Sequence, residues 1–143
     1  MKELLSTYNI IKSKCSSFNN IAISGSVALK LLGFKLQHEP EDLDIILDYN
    51  NLILLRQNFI IEPTKNENIF KLKIKDVNID LILNYPKEFD NCVDIQYESE
   101  TYRCANYKDI LYNKFWLAMN SSHKAEHINE LQFIINNNLE LLN

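Results

Sequence analysis

Two aspartates stand two residues apart in Asp42-Leu43-Asp44, and a third stands at Asp80. On a strand, residues two apart point to the same face, so Asp42 and Asp44 would present their oxygens side by side. Bare carboxylates held that close repel one another. A shared hard cation removes the conflict, and Mg²⁺ is the ion that typically joins a few carboxylates to the phosphates of a substrate. Asp80, between Ile79 and Leu81, is aimed at the non-core face of its own segment. If the two segments lie side by side, three carboxylates converge on one spot. The plainer alternatives are a solvated strand edge for the pair and a cross-strand ion pair for Asp80. A turn at Asp76-Val77 would set Lys73 opposite Asp80, an interaction of only about 0–1 kcal/mol.

The second chemical element is Ser24-Gly25-Ser26. It lies between the apolar run Ile21-Ala22-Ile23 and the helical pattern Val27 to Leu32, which Gly33 stops. Free N–H groups and the dipole at a helix start favour an anion. Gly25 would let a phosphate approach the backbone, and the Ser26 hydroxyl could donate to it. Alone, either serine could be a simple helix cap; together with a downstream Asp-x-Asp strand, the turn reads as a phosphate holder.

The elements that must position these groups follow from periodicity. Leu4, Leu5, Tyr8 and Ile11 predict an amphipathic helix over residues 2–14. Alternation predicts a strand over residues 42–48, with Leu43, Ile45 and Leu47 on one face and Asp42, Asp44, Ile46 and Asp48 on the other. A short helix is expected from about Asn50 to Asn58, then a strand at Phe59–Glu62. Phe70, Leu72 and Ile74 alternate with Lys71, Lys73 and Lys75, and a hairpin leads into the strand Asn78–Leu83. Shorter strands are expected near Val93–Tyr97 and Tyr102–Cys104. Helices are expected over Asp109–Asn120 and His123–Asn137, with Asn136-Asn137-Asn138 as a helix end. The pattern is α/β (α+β): strands in the middle, helices at the ends, packed on a central sheet. It fits one domain over residues 1–143, with the sheet and catalytic core in 1–104 and C-terminal helices in 105–143.

Composition narrows the function classes. The chain carries 15 basic and 19 acidic residues, a net charge of −4. No basic stripe is visible, which argues against duplex DNA as the main partner. Cys15, Cys92 and Cys104 are odd in number and contain no Cys-x-x-Cys pair, so reduced thiols are expected rather than a disulfide framework or a thiolate metal site. The start, Met1-Lys2-Glu3-Leu4-Leu5, lacks the apolar stretch of a signal peptide, and no run reaches membrane-spanning length. A soluble, cytoplasmic protein with no membrane role is expected; oligomeric state is not legible.

The stretch Ile23-Ser24-Gly25-Ser26-Val27-Ala28-Leu29-Lys30-Leu31-Leu32-Gly33, followed by Glu41-Asp42-Leu43-Asp44-Ile45, resembles the nucleotidyltransferase superfamily of polymerase-β type. Asn78-Ile79-Asp80-Leu81-Ile82 looks like the third carboxylate strand of that family. The Glu-Asp-Leu-Asp wording is most similar to small bacterial members, including abortive-infection and toxin–antitoxin nucleotidyltransferases and relatives of antibiotic nucleotidyltransferases. A lysine-bearing helix, Tyr107 to Lys114, follows as it does in them. The resemblance spans roughly Ile21 to Phe133, and its specific elements are Gly-Ser and Asp-x-Asp.

The resemblance implies a nucleotidyltransferase fold, with a mixed central sheet flanked by helices and a C-terminal helical pair. It also implies Asp42, Asp44 and Asp80 as catalytic residues holding two Mg²⁺ (or Mn²⁺) ions, with Gly25, Ser26 and Lys114 binding the NTP. The NMP would pass to a hydroxyl of a protein, a tRNA or a small molecule, in a toxin–antitoxin or phage-defence setting. The alternative is a catalytically degenerate member acting as an antitoxin that binds a toxin.

Other residues could do chemistry. His123-x-x-Glu126-His127 matches an inverted zinc-protease pattern, although a catalytic zinc needs a third protein ligand and a polar helix start explains the residues as well. Lys71, Lys73 and Lys75 form a basic face that either meets phosphates or is merely solvated. Lys114 could snorkel over Phe115 and Trp116 instead of reaching a triphosphate. Tyr107 and Tyr112, with Phe115 and Trp116, suit a core or a partner interface better than a base-stacking platform. His38 has no partner legible from sequence.

Overall fold

The computed structural model describes residues 1–142. Along the chain run α1 (Lys2–Lys12), β1 (Ile21–Ser24), α2 (Gly25–Leu31), β2 (Leu43–Leu47), α3 (Tyr49–Arg56), β3 (Glu62–Pro63) and β4 (Ile69–Ile74). They are followed by β5 (Val77–Leu83), β6 (Val93–Tyr97), β7 (Glu100–Cys104), α4 (Tyr107–Asn120), α5 (Lys124–Asn137) and α6 (Leu139–Leu142). The strands form one seven-stranded mixed sheet in the order β3-β4-β5-β2-β1-β7-β6. β2 runs parallel to β5 and β1 parallel to β7; the other neighbours are antiparallel.

The alternation in the sequence becomes the two faces of this sheet. Ile21, Ile23, Leu43, Ile45, Leu47, Ile79 and Leu81 are buried on one face, where Leu4, Leu5, Tyr8 and Ile11 of α1 and Leu52 and Leu55 of α3 join the same core. Such burial is worth about 1.5–3 kcal/mol for each large aliphatic side chain. It also fixes the register, because a one-residue slip would send every apolar side chain outward. Asp44 and Asp80 therefore occupy the opposite face as a consequence of core formation.

Parallel neighbours need a crossover connection. Here the chain passes through α3, β3 and β4 before β5 returns beside β2. Asp48 caps α3 by accepting the Asn51 N–H at 2.9 Å, and it also accepts from the Asn20 amide at 3.0 Å. The expected Asn-rich helix end has a further task. Asn138 is buried; its oxygen accepts the Lys35 N–H at 2.7 Å and its nitrogen donates to the Lys35 carbonyl at 2.9 Å. This contact ties the C-terminal helices to the loop after α2.

Three expectations need correction. The strand expected at Phe59–Glu62 is reduced to Glu62–Pro63, paired only with Lys71 and Phe70. The β4–β5 turn is Lys75-Asp76, not Asp76-Val77, with Ile74 opposite Val77 and Lys75 at φ 53. That one-residue shift sets Lys71 rather than Lys73 opposite Asp80. Asp42 lies one residue outside β2, which begins at Leu43.

All three cysteines are free. Burial pushes the Cys15 thiol up to about 11 and Cys104 up to about 12, leaving these two inert as nucleophiles. No described helix is long and apolar enough to cross a membrane.

Candidate active site

β1 ends at Ser24, and Gly25 opens α2 at once with φ 62. Ser24 occupies the N-cap position without a side-chain cap, so the N–H groups at the head of α2 are not closed off by it. The backbone here is crowded on one side. A Cβ on residue 25 would stand 2.0 Å from Oδ2 of Asp44 and 2.9 Å from its Cγ. Sequence reasoning reserved Gly25 for a phosphate; the structure also gives it a carboxylate within the protein as a neighbour.

The parallel pairing of β2 with β5 sets Asp44 directly opposite Asp80, and the antiparallel pairing with β1 sets Ser24 opposite Asp44. Asp44 is the covered member of the group. Burial first, and the neighbouring Asp80 charge second, push its carboxyl up to about 6, while the Lys114 ammonium pulls the other way. Asp42, exposed at the mouth of β2, completes the set. Asp80 pairs with Lys71 at 3.3 Å, with side chains 41% and 65% exposed respectively. A pair so open to water holds Asp80 only weakly.

Lys114 comes from α4. Its Nζ donates to Ser26 Oγ at 3.3 Å and to Glu130 Oε1 on α5 at 2.7 Å, and its side chain is only 17% exposed. It therefore reaches inward to the serine at the head of α2 and does not snorkel over Phe115 and Trp116. Ser26, Asp42, Asp44, Asp80, Lys114 and Glu130 all line one cleft of about 510 Å³. The loop before β2 closes one side of it and is held to α2 by an ion pair between Lys30 and Glu39.

His38 and His127 also face this cleft. His123 precedes α5 and is exposed, as is Glu126, and neither lines the cleft that His127 faces. Sequence reasoning missed Glu130 and the ion-pairing of Lys71. Glu130 had no local signal, because it finds Lys114 only when α4 and α5 pack together.

Carboxylate oxygens are the donors that a hard divalent cation takes. Two carboxylates stand in register across parallel strands, a third stands at the cleft mouth, and the covered one carries a charge conflict that a cation would relieve. Among the described residues, no group of three or more His, Cys, Asp or Glu side chains is gathered closely enough to hold a metal ion by itself. Mg²⁺ keeps several waters and takes oxygens from substrate phosphates, so it needs fewer protein ligands than that.

No protein-family model matches the chain, and no curated protein matches it. Solved structures match nearly its whole length. TM1012 of Thermotoga maritima, provisionally assigned as a nucleotidyltransferase, aligns with TM-score 0.60 and 14% identity over 90% of this chain and 91% of its own. ANT(2″)-Ia, solved with adenylyl-2″-tobramycin, aligns with TM-score 0.65 and 13% identity over 95% and 89%. The lincosamide antibiotic adenylyltransferase LnuA, lincomycin-bound, aligns with TM-score 0.63 and 18% identity over 93% and 96%. At such identities the likeness is one of architecture: the chain has the nucleotidyltransferase fold.

Proposed function

We propose that this chain is a metal-dependent nucleotidyltransferase that moves an NMP from an NTP to an acceptor hydroxyl. The observation that carries the reading is the meeting of Asp44 and Asp80, in register, with Ser26 and Lys114 in one cleft, Gly25 lying against Asp44. Two Mg²⁺ or Mn²⁺ ions held by Asp42, Asp44 and Asp80 would neutralise the triphosphate and polarise its α-phosphorus. The N–H groups at the head of α2, with the Ser26 hydroxyl, hold the terminal phosphates as negative charge builds on the leaving pyrophosphate. Lys114 adds a cation there, steadied by Glu130. Asp80, the more open strand carboxylate, faces the acceptor and helps to draw off its proton. The acceptor oxygen bonds to the α-phosphorus as the bond to the β-phosphate oxygen breaks.

The acceptor belongs to one of three classes: a protein side chain, a tRNA end or a small molecule. The toxin–antitoxin resemblance makes a protein or tRNA the first to test. The test is incubation with each NTP, labelled at the α- or the γ-phosphate, with Mg²⁺ or Mn²⁺ and a lysate as acceptor source. α-Label is expected to become attached to an acceptor while γ-label leaves as pyrophosphate. Transfer of γ-label would mean a kinase instead. NTP binding with no pyrophosphate released would mean a binding partner rather than an enzyme.

Lys114→Met gives a second expected result. A charged hydrogen bond is worth about 1.5–3 kcal/mol, so the KM for NTP should rise by about 10–100-fold. Glu130→Gln, which frees the lysine without removing it, should have a smaller effect. Steady-state kinetics at saturating acceptor separates the two.

A further inference from the structure

The helical pair leaves an apolar surface facing water. α4 buries only Ile110 and Ala118, and its site-facing residue is Lys114. On its outer side Tyr112, Phe115, Trp116 and Met119 are 68%, 54%, 53% and 53% exposed. Their spacing of three and four residues makes one stripe on a helix. Isolated exposed apolar residues need no explanation, but a contiguous aromatic stripe does.

We propose that this face of α4 is the contact between two copies of the chain, related by a two-fold axis through Phe115 and Trp116. Charge and area favour a second copy as the occupant, and symmetry permits it.

Between Leu111 and Ser122 the only charged side chain is Lys114, and it points inward to Ser26 and Glu130. A protein of net charge −4 thus offers its own kind a face without charge from Tyr112 to Met119, with Lys108 one turn outside it, so self-association brings no like charges together at the centre. With the two α4 helices antiparallel, Tyr112 meets the partner's Met119 and Phe115 meets the partner's Trp116, each contact occurring twice, as an isologous interface requires. Aromatic side chains bury about 150–250 Å² each, and three here are more than half exposed. With Met119 included, two such faces together approach the roughly 1,000 Å² that a specific interface needs. Aromatic and Met side chains without charge are also the composition of an interface core.

The contact would have a consequence for the cleft, because the same helix carries Lys114 on its inner side. Docking the outer face holds α4, and therefore the lysine, against Ser26.

Trp116 is the sole tryptophan, so its fluorescence reports on this face alone. Sedimentation velocity of the full chain across a micromolar concentration series should show monomer passing to dimer, with Trp116 emission moving to the blue over the same range. Phe115→Glu and Met119→Glu each enter the interface twice and should weaken association at least about 100-fold, with unchanged circular dichroism and red-shifted emission. A chain that stays monomeric with water-exposed tryptophan emission at every concentration overturns the proposal. So does a dimer that both variants leave intact, since its contact lies elsewhere. Pyrophosphate release, assayed in parallel, reads the nucleotidyl-transfer reading separately.

Discussion

Asp44→Asn is expected to lower nucleotidyl transfer by at least about 10³-fold while making the metal-free protein more stable at pH 7. The activity loss follows from the position. Asp44 is the carboxylate between the Gly25 turn and Asp80; on the proposed function it would hold a cation that stabilises phosphoryl charge, and removing such a ligand forfeits several kcal/mol of transition-state binding. The stability gain follows from the same burial. The Asp44 carboxyl is raised from the ordinary 3.8 to about 6, so between those values the folded state holds a proton that the unfolded state has lost. Stability therefore falls as pH rises through that window and is flat above it. At pH 7 the wild type carries the whole penalty, on the order of 1–3 kcal/mol, and an amide does not. Thermal unfolding without metal should show the variant melting higher at pH 7, with the two converging near pH 4. Added Mg²⁺ should raise the wild-type Tm and leave the variant nearly unmoved. A variant that melts lower at pH 7, or that responds to Mg²⁺ as the wild type does, would remove Asp44 from the cation site.

Part of this arrangement is legible in the chain. Alternation in Leu43–Leu47 and Val77–Leu83 was enough to aim Asp44 and Asp80 away from the core, because a buried face dictates which side each residue takes. Their meeting depends on β2 and β5 pairing in parallel, a choice of neighbour that no local pattern encodes. The hairpin shows the limit more sharply. Asp76-Val77 and Lys75-Asp76 are equally short turns, yet the second keeps Ile74 opposite Val77. That pairing places Lys71 against Asp80, and Lys73 moves on to Asn78. Glu130 was out of reach for another reason, since its contact with Lys114 is made only when two helices dock. The strand at Phe59–Glu62 failed because its apolar residues are needed elsewhere: Phe59 and Ile61 pack against the core from the loop, and only Glu62 and Pro63 pair with β4.

Gly25→Ala is expected to cost about 2–4 kcal/mol of stability and nearly all of the activity, for a reason that a double-mutant cycle can isolate. Two penalties act on the alanine. One is the backbone at φ 62, which costs an L-residue about 1–2 kcal/mol wherever it occurs. The other is contact: a Cβ placed 2.0 Å from Asp44 Oδ2 forces either the carboxylate or the head of α2 to move. The first penalty is independent of residue 44 and the second is not. In an Asp44→Ala background there is no carboxylate to strike, so Gly25→Ala should cost only the backbone part. Denaturant unfolding of the four proteins should give a coupling energy of about 1–2 kcal/mol. Simple additivity would mean that Gly25 serves backbone geometry alone and that Asp44 lies elsewhere in solution. Coupling of the expected size would mean that the glycine is required by the carboxylate. The turn at the head of α2 and the Asp44 strand then act as one unit, and no side chain at residue 25 is compatible with Asp44 in this position.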